Sequence, residues 1–522
     1  MSDALLDPLT APPADDAPGG PVVGHAGPQL GEIPMDGPSD DPVTALAEVG
    51  GLFSAGRRAL TTGLVMTITL VAFEALAIAT IMPLVVRDLG GLDLYGWVFS
   101  AFFLGDLIGI VVVGGLIDRG GLVRPLAVGL GLFSIGLIIG GLAPSMGVLV
   151  FGRFLQGLGA GAIPPTAYVV IGRSYPDELR PRMFATLSTA WVVPGVIGPA
   201  IAGAVAQLTI WRVVFIGLLP LIAIAGAITL PAIRAAVPAR ASGADGGARP
   251  DAVGEVMAMR RRVPLGFVLT AGAGILVVGL TAGALVLSVP LAMIGLALVV
   301  PSFRRLTPVG TLRAARGLPA AVLLRGILTF AFFCADAYVP LALQEWRGLG
   351  PAVAGIALTG ATLSWTAGAW IQARRIETWG VPRLVRSGFT VVVVGIAAFG
   401  LVLSPAVPVV VGIVAWSIAG LGMGLSYSPL SLTVLREATP GAEGAATSGL
   451  QLSDVLGTAL GTGVGGALLA AATRGGLETW VGLAGAFAVG ATVGLVGIAL
   501  AGRLATDPSD TAQPSGPGPR LG

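Results

Sequence analysis

The chain reads as an all-α integral membrane protein: two six-helix bundles plus an inserted pair of helices, fourteen spans in all. Three observations predict this. Fourteen apolar stretches lie between about Ala59 and Ala501, each long enough to cross a bilayer. Only 11% of the 522 residues are charged and 54% are hydrophobic, where an ordinary soluble domain is about 25% charged. Arginine, finally, falls almost wholly on alternate loops between the stretches. A hydrocarbon core about 30 Å thick takes roughly 20 helical residues. Backbone groups denied water must bond within their own span, which dictates helices.

The spans are predicted at 61–86, 97–117, 125–143, 148–172, 184–206 and 212–232, then 264–281 and 284–302. Six more follow at 318–343, 351–373, 387–404, 407–430, 445–472 and 478–502. The corresponding units are a tail at 1–58, a first bundle at 59–233, a cytoplasmic linker at 234–263, and the inserted pair at 264–302. A second bundle at 303–503 and a tail at 504–522 complete the chain. Met1 to about Asp41 is rich in Pro, Gly, Ala and Asp without apolar periodicity, so both tails are expected to be disordered. The N-terminal one lacks the basic start and apolar core of a signal peptide.

The chain has no lysine, so its 30 basic residues are all arginine. On the predicted topology 24 of them lie on one side, including Arg57, Arg124, Arg180, Arg234, Arg304, Arg383 and Arg503. The other side holds Arg87, Arg212, Arg347 and Arg474, and Arg153 and Arg325 fall inside spans. Basic residues are retained on the cytoplasmic face. Both termini are therefore expected in the cytoplasm of a multi-pass protein of the cell membrane. The layout of six, two and six spans suggests two homologous halves, an arrangement transporters use to build a site at the repeat interface. Gly114 to Arg124 echoes Gly368 to Arg383, and Gly195 to Gly203 echoes Gly457 to Gly466.

Several function classes are disfavoured. The single cysteine, Cys334, and single histidine, His25, make no disulfide, metal site or nucleophilic set. A phosphate-cradling loop of the Gly-x-x-x-x-Gly-Lys type cannot exist without lysine. Scattered arginines provide no surface for nucleic acid. A membrane enzyme and a receptor that has lost transport are the weaker alternatives.

Four acids fall within predicted spans: Glu74, Asp106, Asp336 and Asp454. A charge at the centre of a membrane helix costs roughly 2.5–3.5 kcal/mol on insertion scales, so each needs a partner or a purpose. A carboxyl in an apolar site can exchange a proton near cellular pH, the property a proton-coupled carrier requires. Glu74 is the expected main proton-binding group, with Asp106 beside it and Asp336 and Asp454 facing them across a central cavity. Arg153 would bias their protonation. Phe73, Phe103, Phe332, Phe333 and Tyr338 are candidates to line a pocket for a cationic or apolar substrate.

Local patterns add a resemblance. Gly114-Gly-Leu116-Ile-Asp118-Arg119-Gly-Gly121 follows the cytoplasmic-turn signature of the major facilitator superfamily. Arg153-Phe-Leu-Gln156-Gly157-Leu-Gly159 resembles that family's fourth-span pattern, and Gly198-Pro199-Ala-Ile-Ala202-Gly203 resembles the fifth-span element of its exporters. Glu74, nine residues before Pro83, and Trp211-Arg212 are similar to elements of its fourteen-helix drug:proton antiporter branch. The resemblance covers about 60–503. Three departures stand out: Leu122-Val123 replaces a basic pair, the first-span acid is Glu rather than Asp, and Ala202 replaces a glycine.

By this resemblance, Asp118 latches one face shut against a helix N-terminus of the other half, with Gly114, Arg119 and Gly121 forming the turn. Gly198, Pro199 and Gly203 form a gating element. The function implied is proton-coupled export of small amphipathic or cationic compounds, without a cofactor and driven by the proton gradient. Its partners would be protons, a small-molecule substrate and the bilayer, with no metal and no nucleic acid. A dedicated exporter of one endogenous metabolite, lipid, sugar or antibiotic is the alternative.

Overall fold

The long apolar runs of the sequence all form helices. The computed structural model describes residues 51–236, 250–439 and 442–505, with side chains at 114, 115, 118–120, 181, 188 and 250–262 outside that description. In chain order the first helices are α1 (Arg58–Leu89), α2 (Tyr95–Gly120), α3 (Val123–Gly141), α4 (Met146–Ala160) and α5 (Ile163–Ser174). Next come α6 (Arg180–Leu208), a short turn at Arg212–Ile216, α7 (Leu218–Ala236), α8 (Pro250–Thr281) and α9 (Leu285–Leu306). The remainder comprises α10 (Leu318–Asp336), α11 (Pro351–Gly400), α12 (Val409–Glu437), α13 (Glu443–Arg474) and α14 (Thr479–Leu500). Among the described residues, thirteen helical stretches are long and apolar enough to cross a membrane.

Local chemistry explains where these helices depart from the predicted boundaries. The stretch 351–403, expected as two spans, is one helical run with non-helical backbone at Gly380 (φ 71°, ψ 160°). Glycine takes that conformation without penalty, and Pro382 disfavours helix in the residue before it. The fourth span divides into α4 and α5 at Gly161-Ala162, just ahead of Pro164-Pro165, which supply no backbone donors. After Asp336 the chain turns through Val339–Leu341 and a π-helical turn at Ala342–Trp346.

The expected linker at 234–263 is shorter than the sequence suggested. Helix α8 begins at Pro250, about four turns ahead of the apolar run. Residues 252–262 are rich in Ala, Met, Glu and Arg, good helix formers that extend the helix past its membrane part. The terminal tails beyond the described residues are not part of this picture.

The two halves repeat one packing scheme. In the first, α2 and α4 touch through glycine: a Cβ on Gly157 would run into the Phe102 carbonyl, and one on Gly105 into that of Phe154. In the second, the leading part of α11 meets α12 the same way, with Gly424 against the Trp365 carbonyl and Gly368 against that of Leu421. Small residues let membrane helices approach closely where the hydrophobic effect offers no drive.

The halves meet along two seams. At the first, where α2 meets α13 and the end of α10, Ser100 donates to the Ala459 carbonyl of α13 (3.0 Å) and Tyr95 to that of Ala337, just past α10 (3.0 Å). At the second, between α6 and α11, Thr359 donates to the Val196 carbonyl (3.0 Å) and Gly355 lies against the Pro199 carbonyl. Gln344 also reaches the Thr80 carbonyl (2.8 Å), and Arg87 pairs with Glu345 (2.6 Å). These bonds gather toward the end of the molecule that carries the loops at 90–94, 209–211 and 347–350.

The glycine contact in α4 generates a test. Gly157→Val forces a side chain into the α2 backbone and is expected to destabilise the protein by about 1–3 kcal/mol, the usual cost of overpacking, or more. Gly131→Ala, at a glycine with open space around it, should leave the detergent-solubilised unfolding midpoint in place. Equal midpoints for the two variants would contradict the close α2–α4 approach.

Candidate functional site

Two polar clusters lie at membrane depth, one in each half. In the first, α4 carries Arg153 and Gln156 one turn apart, and α1 brings Glu74 to them. Arg153 forms an ion pair and hydrogen bond to Glu74 Oε1, and also donates to Gln156 Oε1 (3.1 Å) and the Val98 carbonyl (3.2 Å). Its guanidinium lies 4.3 Å from the centroid of the Phe102 ring. Both charged side chains are buried, Arg153 at 2% and Glu74 at 4% exposure. Glu74 Oε2 has no hydrogen-bond partner, and the void beside it, lined by Ile78, Val214 and Phe215, is too small for water.

The second cluster runs along one face of α10. Arg325, Thr329, Phe332, Phe333 and Asp336 recur at i, i+4, i+7, i+8 and i+11, a spacing that aligns them on one side of a helix. Arg325 reaches Asp454 of α13 (3.4 Å) and lies 3.0 Å from the centroid of the Tyr427 ring of α12. It also donates to the Tyr427 carbonyl. Tyr427 donates its hydroxyl to Asp454 Oδ2 (2.7 Å), and Thr329 donates to the Asp454 carbonyl (2.9 Å). Asp454 is thus clamped by a cation and a phenol at once.

Asp336 has a different surrounding. Its Oδ1 accepts from Trp416 Nε1 (3.1 Å), and Trp416 is fully buried, stacked on Phe332 at 5.0 Å and 25°. Phe332 meets Trp365 (5.8 Å), which meets Tyr427 (5.4 Å). An unbroken aromatic wall therefore runs from Asp336 to the Arg325–Asp454 pair. Phe103 of the first half approaches Phe333 across the interface (6.3 Å).

Asp106 on α2 sits where α4 breaks: a Cβ on Gly161 would stand 2.8 Å from its Oδ1. Asp454 lies on α13, the helix of the other half that α2 packs against. Among the described residues neither Asp106 nor Asp336 forms an ion pair, and both retain partial exposure.

The four acids are not gathered at one point as the sequence reading expected. Glu74 is enclosed within the first half by Arg153 instead of facing Asp336 and Asp454 across a cavity. Asp106 and Asp454 stand on the facing helices α2 and α13, while Arg153 is committed to Glu74. The physical reason is a charge rule: a buried arginine takes the acid it can desolvate with, and the glycine-lined α2–α4 contact seals that pair from the rest.

Tyr338 is fully buried, its hydroxyl donating to the Thr462 carbonyl (2.6 Å) and its ring 5.5 Å from Tyr95, which places it in the α2–α13 seam. Of the resemblance-derived gating residues, Gly121 ends α2 at φ 82°. The side chains of Gly114, Asp118 and Arg119 lie outside the described residues. Gly198 packs beside Phe73, and Pro199 and Gly203 face Gly355 and Pro351 in the α6–α11 seam. A cavity of about 450 Å³ lies between α1 and α6, lined by Val65, Thr69, Ala185, Thr186, Thr189, Ala190 and Val193. None of the four acids lines it.

Trp365, Trp416 and Tyr427 escaped the sequence reading. The helical register of α10 was available to find Thr329 beside Arg325 and Asp336, but nothing local ties Tyr427 or Trp416 to α10. Removing one partner of a buried pair leaves the other charge uncompensated. Arg153→Ala is therefore expected to lower unfolding stability by about 3–5 kcal/mol, and a Glu74→Leu, Arg153→Met double variant should recover most of it. Arg87→Ala, which breaks the exposed pair with Glu345, should cost no more than about 1 kcal/mol. Equal losses for Arg153→Ala and Arg87→Ala in detergent unfolding would contradict the sealed geometry.

Comparison with known proteins places this architecture. The family model described as Major Facilitator Superfamily matches residues 63–462. A Mycobacterium tuberculosis protein named as a probable multidrug-efflux transporter is 28% identical over 469 residues, covering 86% of this chain and 96% of the relative. Multidrug resistance protein 3 of Bacillus subtilis is 31% identical over 153 residues, 29% of this chain and 30% of its own length. The crystal structure of a bacterial homolog of the human lysosomal transporter Spinster, inward-facing and unoccupied, aligns with a TM-score of 0.61 at 16% identity, over 86% of this chain and 96% of the other. A D-xylose–proton symporter aligns at 0.56 and 12% identity, over 84% and 97%. At those identities the likeness is one of fold. The chain belongs to the Major Facilitator Superfamily and is a multi-pass membrane transporter of small molecules.

Proposed function

We propose that this transporter is a proton-coupled exporter of amphipathic or cationic compounds, of the fourteen-helix drug:proton antiporter branch, working by alternating access between its two halves. The break at Gly380 divides the long α11 stretch into two spans and brings the count from thirteen to fourteen. With the arginine-rich loops on the cytoplasmic side of the cell membrane, both termini are cytoplasmic. The bonds joining the halves then lie toward the outer end, and the conformation is open inward. The proton gradient is the energy source, and no cofactor takes part.

One observation carries this reading: two arginines each neutralise one acid, Arg153 with Glu74 and Arg325 with Asp454, which leaves Asp106 and Asp336 uncompensated. An unpaired, partly exposed carboxylate at membrane depth is costly unless a cation occupies it. Protons and a cationic substrate compete for such a place, and competition for one charge is what couples two opposed fluxes. The aromatic wall of Phe332, Trp365 and Tyr427 beside Asp336 suits a flat cation, which is attracted to ring faces.

Glu74 serves as the switch. In the inward-open state its proton has left, and Arg153 closes on it. A proton arriving from outside neutralises Glu74, loosens Arg153 from it and disfavours the sealed first-half arrangement. The empty Oε2 is the position that proton takes, since it requires no other bond to break. The names of the relatives support drug-like substrates, and the Gly198–Gly203 element at the α6–α11 seam supports a hinge there.

Vesicles containing only this protein provide the test, using a compound identified by susceptibility screening of an efflux-deficient host. Substrate flux should accelerate when the opposite compartment is acidified and reverse with the gradient. Asp106→Asn and Asp336→Asn should each abolish gradient-driven flux while normal protein amounts reach the membrane, and Glu74→Gln should leave only exchange that ignores pH. Gradient-driven flux that survives both aspartate substitutions would overturn the assignment.

A further inference from the structure

The inserted helices have no counterpart in either six-helix half, and their packing is lopsided. Helix α8 lies against both α2 and α13, one helix from each half. Leu269 and Ala273 of α8 and Val299, Phe303 and Leu306 of α9 join a buried cluster with residues of α2 and α13, among them Leu107 and Val455. The contact is close. Gly266 of α8 admits Val111 of α2, and Gly463 of α13 admits Val277 of α8. Trp97 of α2 donates to Thr281 at the far end of α8 (3.3 Å). The α2–α13 seam is thus filled with protein over much of its membrane depth. The far side of α9 is bare apolar surface, with Val286 at 83% and Met293 at 61% exposure.

The α6–α11 seam has no such filler among the described residues. Its bonds lie between 195–207 and 350–362. Toward the other end of α6, the 450 Å³ cavity separates α6 from α1. The lining of that cavity is mostly apolar, although three of its seven residues are threonines. Thr186 donates to the Arg182 carbonyl (2.9 Å) and Thr189 to that of Ala185 (3.2 Å), so both hydroxyls are used by their own helix. Methyl groups of these threonines, Val65 and Val193 remain to face the space. Thr189 lies five residues into the predicted span 184–206, about 8 Å along the helix, which is roughly half the depth of one leaflet in a hydrocarbon core about 30 Å thick. Largely methyl-lined space at that depth matches an acyl chain better than water.

We propose that the inserted pair seals the α2–α13 seam against lipid, and that bilayer-dissolved amphiphiles reach the transport path only from the α6–α11 side, where the α1–α6 groove takes their hydrocarbon portion. The inference rests on the alternating-access reading for the existence of a path between the halves. Its test reads lipid contact instead of flux, so it fails or stands apart from proton coupling.

The full chain is placed in phosphatidylcholine nanodiscs doped with a phospholipid bearing a photoactivatable diazirine midway along one acyl chain. After irradiation, adducts are mapped by peptide mass spectrometry. The expected result is labelling at 65–69 and 185–193, and on the bare face of α9 around Met293, with none at 104–111 or 452–459. Thr189→Trp should remove the adducts at 65–69 and leave those on α9 unchanged. Labelling of the α2–α13 seam at the level of α9 would overturn the seal. Labelling of α9 without the groove, or adducts at 65–69 that persist in Thr189→Trp, would overturn the groove as the entry.

Discussion

Charge inside hydrocarbon has to be matched, and the whole arrangement depends on how this chain matches it. Four acids and two arginines share the membrane interior. Each arginine is placed by a helix whose neighbours come close enough to exclude water. On α4 this is done by glycines that let α2 approach to backbone contact, so Arg153 and Glu74 share a sealed space. On α10 it is done by Tyr427, which covers Arg325 with its ring and holds Asp454 with its hydroxyl. Closing both pairs leaves two acids without an arginine partner among the described residues, Asp106 and Asp336, both at partly exposed positions.

The same constraint separates rigidity from movement. Within each half, the second and fourth helices interlock through glycine. Between halves, the bonds run mostly from side chain to backbone carbonyl, as with Tyr95 to Ala337 and Thr359 to Val196. Such bonds can be exchanged for water or for other carbonyls at modest net cost, about 0.5–1.5 kcal/mol each. A fold that keeps its strongest pairs inside the halves and its weaker bonds between them is suited to rocking. The inserted α8 is the exception, since it touches both halves.

Much of this was legible in the sequence. Span positions follow from length and hydropathy alone, and the midspan acids and arginines are visible as interruptions of apolar runs. The motif around Arg153 and Gln156 pointed to the first cluster, and the register of α10 aligns Arg325 with Asp336. What could not be read was partnership. Asp106 and Asp454 are nearly 350 residues apart, and no periodicity tells that α2 and α13 touch. Arg153 was expected to influence several acids, but only packing decides that Glu74 takes it whole. Tyr427 and Trp416 look like ordinary membrane aromatics until α12 is laid beside α10. The polar start of α8 reads as linker by charge and as helix by propensity, and propensity prevailed.

Proton release on substrate addition tests the division of acids most directly. The purified chain is held in weakly buffered detergent solution, and a compound it transports is added while pH is followed. If Asp106 and Asp336 are where protons and substrate compete, binding should acidify the medium, and the signal should vanish when both are replaced by asparagine. Release of the same size from that double variant, or binding by the wild type with no release at all, would contradict it.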